Sequence, residues 1–260
     1  MGRPTFGDQE ENGEKTHLVG AFATKDGLIL GQEKVCDKSN EITAIPKLLD
    51  ILHLKNQIIT IDAMGCQKNI AEKILSKKAD YVLSLKENHP TLYHETVLYF
   101  SDALNKRETY EVKNKSKTDI HIRRCSVTDD VSWVPDLKKW KGLKSLVMIE
   151  AIKIKGDTQT KEVRYFISSL EPNPKVILNS VRAHWGIENN LHWILDVVFK
   201  EDDRILWDKN VIQNESFIRR FALNLIKQYK TKYNDNTAFK TIRKVLAMDD
   251  DKLDQILREF

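Results

Sequence analysis

The sequence predicts an α/β fold: a mixed sheet flanked by helices, with a mostly antiparallel β insertion and a helical C-terminus. Three observations carry this. Two apolar, β-branched runs at residues 57–62 and 81–85 bracket an amphipathic segment, the pattern of a strand–helix–strand unit. Short alternating runs separated by polar turns fill residues 108–170. From Val176 onward the apolar spacing is helical.

The elements follow in order. Residues 1–15 are polar and aperiodic and read as a loop. Residues 17–24 and 28–35 are strand-like, and Lys25-Asp26-Gly27 between them is a hairpin turn, because glycine accepts the positive φ such turns need. Helical spacing follows in Ile45, Leu48, Leu49, Ile51 and Leu52. Pro46 is tolerated only in a first turn, so that helix is expected to start near it. The continuous run 57–62 predicts a strand buried on both faces. Ile70, Ala71, Ile74 and Leu75 give the helix over 67–77 its apolar side, and residues 81–85 form a second buried strand. A helix over 91–104 leads into strands at 108–112, 120–127, 143–154 and 163–170. The domain organisation expected is 1–89, a β-rich insertion over 90–174, and a helical part over 175–260.

Composition narrows the class. With 41% hydrophobic and 31% charged residues in 260, the chain reads as globular with a real core. No apolar run approaches the roughly 20 residues needed to span a bilayer. Cys36, Cys66 and Cys125 are an odd number without metal-type pairing, which fits a reducing, cytoplasmic compartment. The net charge of +4 does not by itself mark a nucleic-acid binder.

Two carboxylates stand out. Asp62 ends a buried strand, and α/β sheets place their sites at the carboxyl ends of strands; a turn or helix-capping role is the alternative. Glu188 falls in the helix expected over 176–199. At 100° per residue it lies within the stripe of Val181, Trp185 and Leu195, where a carboxylate is costly unless paired or metal-bound. The alternative is a glutamate at the stripe's edge that reaches solvent. Gly186 in mid-helix costs about 1 kcal/mol against alanine and points to a close approach there.

Several ordered motifs then carry a resemblance. Thr60-Ile61-Asp62-Ala63-Met64-Gly65-Cys66-Gln67, Asp80-Tyr81-Val82-Leu83-Ser84-Leu85-Lys86, and His184-Trp185-Gly186-Ile187-Glu188-Asn189 with Leu191-His192-Trp193 resemble the ISAs-type insertion-sequence transposases, which include the bacterial H-repeat-associated proteins. Lys38-Ser39-Asn40-Glu41-Ile42, Arg164-Tyr165-Phe166-Ile167-Ser168-Ser169-Leu170, Leu195-Asp196-Val197 and Glu201-Asp202-Asp203 match as well, so the likeness runs from His17 to the C-terminus.

The resemblance implies a DDE transposase on an RNase H-like fold. Two aspartates and a glutamate hold two Mg²⁺ (or Mn²⁺) ions that act on DNA phosphodiesters. Asp62 matches the second aspartate and Glu188 the glutamate, as catalytic and metal ligands. The first aspartate belongs to an Asp-Gly-Lys motif on a central strand upstream of the segment matching residues 17–24. This chain has none, and neither Asp8 nor Asp26 takes the role. The expectation is therefore a truncated copy, marginally stable and inactive; the alternative is a non-catalytic remnant with weak DNA binding.

The family's tyrosine, arginine and lysine signature positions fall on Val181, His184 and Leu195, with Arg182 and Lys200 as nearby cations. Expected DNA contacts are Lys86, Arg182, His184, Lys200, Arg123 and Arg124, the last two within a basic cluster of the insertion. Double-stranded DNA is the expected partner, with a homodimer in the DNA complex, nucleoid association and no membrane. The run Glu201-Asp202-Asp203 is expected to be a solvated acidic turn.

Overall fold

The computed structural model describes residues 3–4, 17–35, 41–116, 118–201 and 209–259. In chain order the elements are β1 (Arg3–Pro4), β2 (His17–Ala23), β3 (Leu28–Val35), α1 (Glu41–Ile51), β4 (Ile58–Ile61), α2 (Lys68–Ser76), β5 (Asp80–Leu85), α3 (Pro90–Ser101), β6 (Glu108–Lys115), β7 (Asp119–Thr128), β8 (Ser145–Lys155), β9 (Thr158–Ser168), α4 (Pro174–Trp185), α5 (Trp193–Val197), α6 (Lys209–Tyr233), α7 (Phe239–Leu246) and α8 (Asp250–Glu259). They divide into two compact units, Leu49–His184 and the pair Met1–Leu48 with Trp185–Phe260.

In the unit Leu49–His184, β4, α2 and β5 form the predicted strand–helix–strand. β4 and β5 are parallel, with Ile61 opposite Leu83. α2 buries Ile70, Ala71 and Ile74, the helical spacing read from sequence. The antiparallel strands do not form a sheet of their own. β9 pairs antiparallel with β5, so one six-stranded sheet runs β4-β5-β9-β8-β7-β6. β4 therefore lies at an edge and is half-buried along its length, not buried on both faces as expected. An edge position leaves one flank of each residue open.

Serine hydroxyls fasten the junction. Ser169 donates to Asp80 Oδ1 at 2.8 Å and accepts the Tyr81 N–H at 2.9 Å; Ser168 donates to the Tyr81 carbonyl at 2.9 Å. Tyr81 is fully buried, and its hydroxyl donates to the Lys141 carbonyl at 3.0 Å. Burial fades away from β5: β9 is exposed from Thr158 through Val163 and buried at Phe166–Ser168. At the far end the two-residue turn Gly156-Asp157 uses a glycine at φ +56°.

In the other unit, β2 and β3 make the predicted hairpin. β1 adds two residues to its edge, Arg3 opposite Leu18, inside the segment expected to be loop; Asp8 lies outside the described residues. α6 binds β3 through Asn224, which accepts the Ile29 N–H at 2.9 Å and donates to the Ile29 carbonyl at 2.8 Å. Leu191, Ile194, Leu195, Val198 and Leu223 form the core here, with Phe22, Ile29 and Phe239 packed against it.

Two helical expectations need correction. α1 starts at Glu41, so Pro46 sits inside the helix. Burial of Ala44, Ile45, Leu48 and Leu49 sustains the helix across the missing N–H. The single helix over 176–199 is broken: α4 stops at Trp185, a π-helical turn covers Glu188–His192, and α5 follows. In α6, Leu225 is buried while Phe217, Ile218 and Phe221 are more than half exposed, and the Arg219 and Arg220 side chains pack inward.

Replacing Tyr81 by phenylalanine leaves the Lys141 carbonyl without its buried donor. Stability should fall by about 1 kcal/mol, read as a lower denaturant midpoint at unchanged m.

Candidate active site

Asp62 follows the last residue of β4, at the carboxyl end of a strand parallel to its neighbour. It stands at the cap position of the short 3₁₀ turn Ala63–Gly65, yet its carboxylate makes no capping hydrogen bond. A capping role therefore does not account for it. Lys86 leaves the end of β5 on the same side of the sheet and is exposed. The loop after β5 braces the turn after Asp62: Asn88 Nδ2 donates to the Ala63 carbonyl at 2.7 Å, and His89 Nε2 lies 2.6 Å from the Cys66 carbonyl. The His89 ring meets the edge of buried Trp140 at 5.0 Å. Neither Asn88 nor His89 was singled out from sequence. Lone polar residues before a helical proline carry no spacing signal.

Thr60, two residues before Asp62, shares a 3.0 Å hydrogen bond between its Oγ1 and Nδ1 of His184 at the end of α4. Burial pushes His184 below its ordinary 6.5, although Asp62 pulls the other way. His184 is thus a neutral imidazole near pH 7, a hydrogen-bonding group beside Asp62 and not a cationic phosphate grip. Arg182, in the same last turn, is half-buried.

Glu188 opens the π-helical turn, where the Trp193 N–H reaches the Glu188 carbonyl five residues back. The Asn190 N–H bonds to the Gly186 carbonyl at 2.9 Å across the break. Glu188 is exposed, not part of a buried stripe. In an unbroken helix it would be in phase with Val181 and Leu195, which are both buried. The wide turn takes up an extra residue and rotates the phase, so Leu191, Ile194 and Leu195 enter the core while Glu188 and Trp193 face out.

A model of the transposase DDE domain matches residues 3–225. This chain belongs to the DDE-domain transposase family. It is 42% identical over 225 residues to "Putative transposase YncI" of Escherichia coli O157:H7, covering 82% of this chain and 57% of that protein. It is 40% identical over 220 residues to "H repeat-associated putative transposase YhhI" of Escherichia coli strain K12, covering 81% of this chain and 58% of that one. The transposase chain thus spans somewhat more than half the length of these relatives. Its mixed α/β architecture agrees with an RNase H-like transposase fold.

DDE transposases in general use divalent metal ions, and carboxylate oxygens are the donors Mg²⁺ prefers. Asp62 and Glu188 supply that donor type. Among the described residues no group of three or more His, Cys, Asp or Glu side chains could hold a metal.

The remaining predicted residues separate. Arg123 lines a shallow cavity of about 300 Å³ on the open face of β7–β9 with His121, Lys153 and Thr160. Arg124 points to the other face and is held by Glu111 at 2.8 Å and Glu150 at 3.4 Å. Lys200 is exposed and left-handed, at φ +55°. Glu201 is buried, not solvated as expected. It accepts from Ser216 at 3.0 Å and pairs with Arg220, because burying that carboxylate demands a cation. Asp202 and Asp203 lie outside the described residues.

A base held below its ordinary value binds fewer protons folded than unfolded. Stability then rises with pH up to 6.5 and is lost as pH falls below it. The transposase chain should therefore lose Tm on acidification from 6.5, and His184→Gln should flatten that slope. Thermal scans of both proteins at stepped pH, with an NMR titration of the ring, check this.

Proposed function

We propose that this chain carries the catalytic part of an insertion-sequence transposase that cleaves and transfers strands of double-stranded DNA. Asp62 and Glu188 are its metal-binding carboxylates, for Mg²⁺ or Mn²⁺. The observation that carries the reading is Asp62: a half-buried carboxylate at the carboxyl end of a parallel strand, uncommitted to its turn, in a chain of the DDE family. Exposure of Glu188 supports the same role, because a ligand must leave the core to meet an ion at the surface. Bound divalent metal supplies Lewis-acid stabilisation of phosphoryl oxygens. The chain's own part is to hold the carboxylates, to keep His184 neutral beside Asp62, and to offer cations to the DNA backbone.

The purified chain by itself is expected to bind DNA without turning it over, because the resemblance assigns a third carboxylate, the first aspartate, to a motif that this sequence does not contain. The central strand and first aspartate that the resemblance calls for would complete the site. β4 offers an edge where a further strand can pair. The working form is a dimer on DNA, associated with the nucleoid. Among the described residues no helix is long and apolar enough to cross a membrane.

Lys86 and Arg123 are the leading phosphate contacts, with Arg182 and Lys200 beside the carboxylate-bearing helix. Arg124 is spent on its two glutamates and belongs to the fold.

Two measurements test this. Mn²⁺ titration of the purified chain should show weak binding that Asp62→Asn and Glu188→Gln each reduce, with no strand cleavage at any metal concentration. Binding indifferent to both substitutions refutes the assignment, and cleavage by the chain alone refutes the expected inactivity. In salt-dependent DNA binding, Arg123→Ala should lower the log–log slope by about 1. Arg124→Ala should leave the slope unchanged and lower Tm instead.

A further inference from the structure

The π-helical turn that carries Glu188 is a weak element. Such turns are rare and do not propagate, Gly186 precedes this one, and Glu188 and Trp193 face solvent. Something outside the turn must hold its orientation.

Lys227 on α6 is placed to do so. Its Nζ donates to the Asn190 carbonyl in the turn at 3.0 Å and to the Gly27 carbonyl in the β2–β3 hairpin at 2.6 Å. The same ammonium lies 4.8 Å from the centre of the Phe22 ring. One turn earlier, Asn224 anchors α6 to β3 on both sides of Ile29, so the base of Lys227 is itself fixed. Gly27 stands at φ +69°, a left-handed conformation that glycine adopts without strain, and this turns its carbonyl within the hairpin. Burial pushes Lys227 down to about 8, the mark of an ammonium taken from water for this position.

We infer that Lys227 is a positioning residue: bridging the hairpin and the π-helical turn, it sets the direction in which Glu188 is presented. This rests on the reading of Glu188 as a metal-binding carboxylate. Its physical content is narrower and separately measurable. A two-carbonyl bridge resists local opening of residues 186–193 without being the source of the unit's overall stability, which lies in the Leu191–Leu223 core.

Hydrogen exchange by mass spectrometry on the full chain tests it. Lys227→Met keeps an unbranched apolar stem, one atom shorter, and removes the ammonium that donates to both carbonyls; exchange over 186–193 should quicken by about tenfold while α7 and α8 keep their rates. Lys227→Arg, which can still donate to both carbonyls, should restore protection. Lys227→Gln, polar but too short for both, should reproduce the local loss should the methionine variant not fold. Unchanged exchange over 186–193, or an equal rise across the whole chain, overturns the positioning role. Indifference of Mn²⁺ binding to Glu188→Gln overturns the carboxylate reading instead, and the exchange pattern tells the two failures apart.

Discussion

The unit Leu49–His184 depends on one strand. β5 is parallel to β4 on one side and antiparallel to β9 on the other, so it joins the strand–helix–strand unit to the meander. Strands of opposite sense on the two flanks present different ladder geometries. Here the end of the antiparallel partner is closed by side chains: Ser168 and Ser169 spend their hydroxyls on the backbone of Tyr81 and the carboxylate of Asp80. That seam closes the amino end of β5; at the carboxyl end Leu85 pairs with Tyr165, and Asp62, Lys86, Asn88 and His89 follow the carboxyl ends of β4 and β5.

The other organising feature is a defect. A helix that continued past Gly186 would bury Glu188 along with Val181 and Leu195. Burial of an ionised carboxylate demands a partner, as Glu201 illustrates with Arg220 and Ser216. The π-helical turn avoids that cost by changing the phase once. The apolar residues on both sides still reach their cores, and the carboxylate between them is turned outward. Such wide turns occur often at functional positions because they re-aim one side chain without disturbing its neighbours.

Charge is organised by pairing more than by amount. The excess of +4 says little, because many cations are committed. Arg124 is held by Glu111 and Glu150, Arg219 by Glu215, Arg220 by Glu201, and Arg164 by Glu162. Adjacent residues on a strand point to opposite faces, which is why Arg123 and Arg124 have different fates. The affinity of such a chain for a phosphate backbone rests on the cations left facing solvent.

The sequence by itself determined the elements, their order and the family. Periodicities of 2 and 3.6 residues are local properties, and they marked the hairpin about Gly27, the unit β4–α2–β5, and the strands after residue 108. The ordered motifs placed Asp62 and Glu188 in the transposase pattern. Tertiary structure decided what depends on partners far along the chain. It decided that β9 joins β5, that β4 is an edge, that Glu201 is buried, and that His184 bonds to Thr60. It also decided that Glu188 faces out, because helical phase can be read from sequence only while the helix stays regular. The reason is the same in each case: a local pattern specifies which residues share a face, and only packing specifies what that face meets.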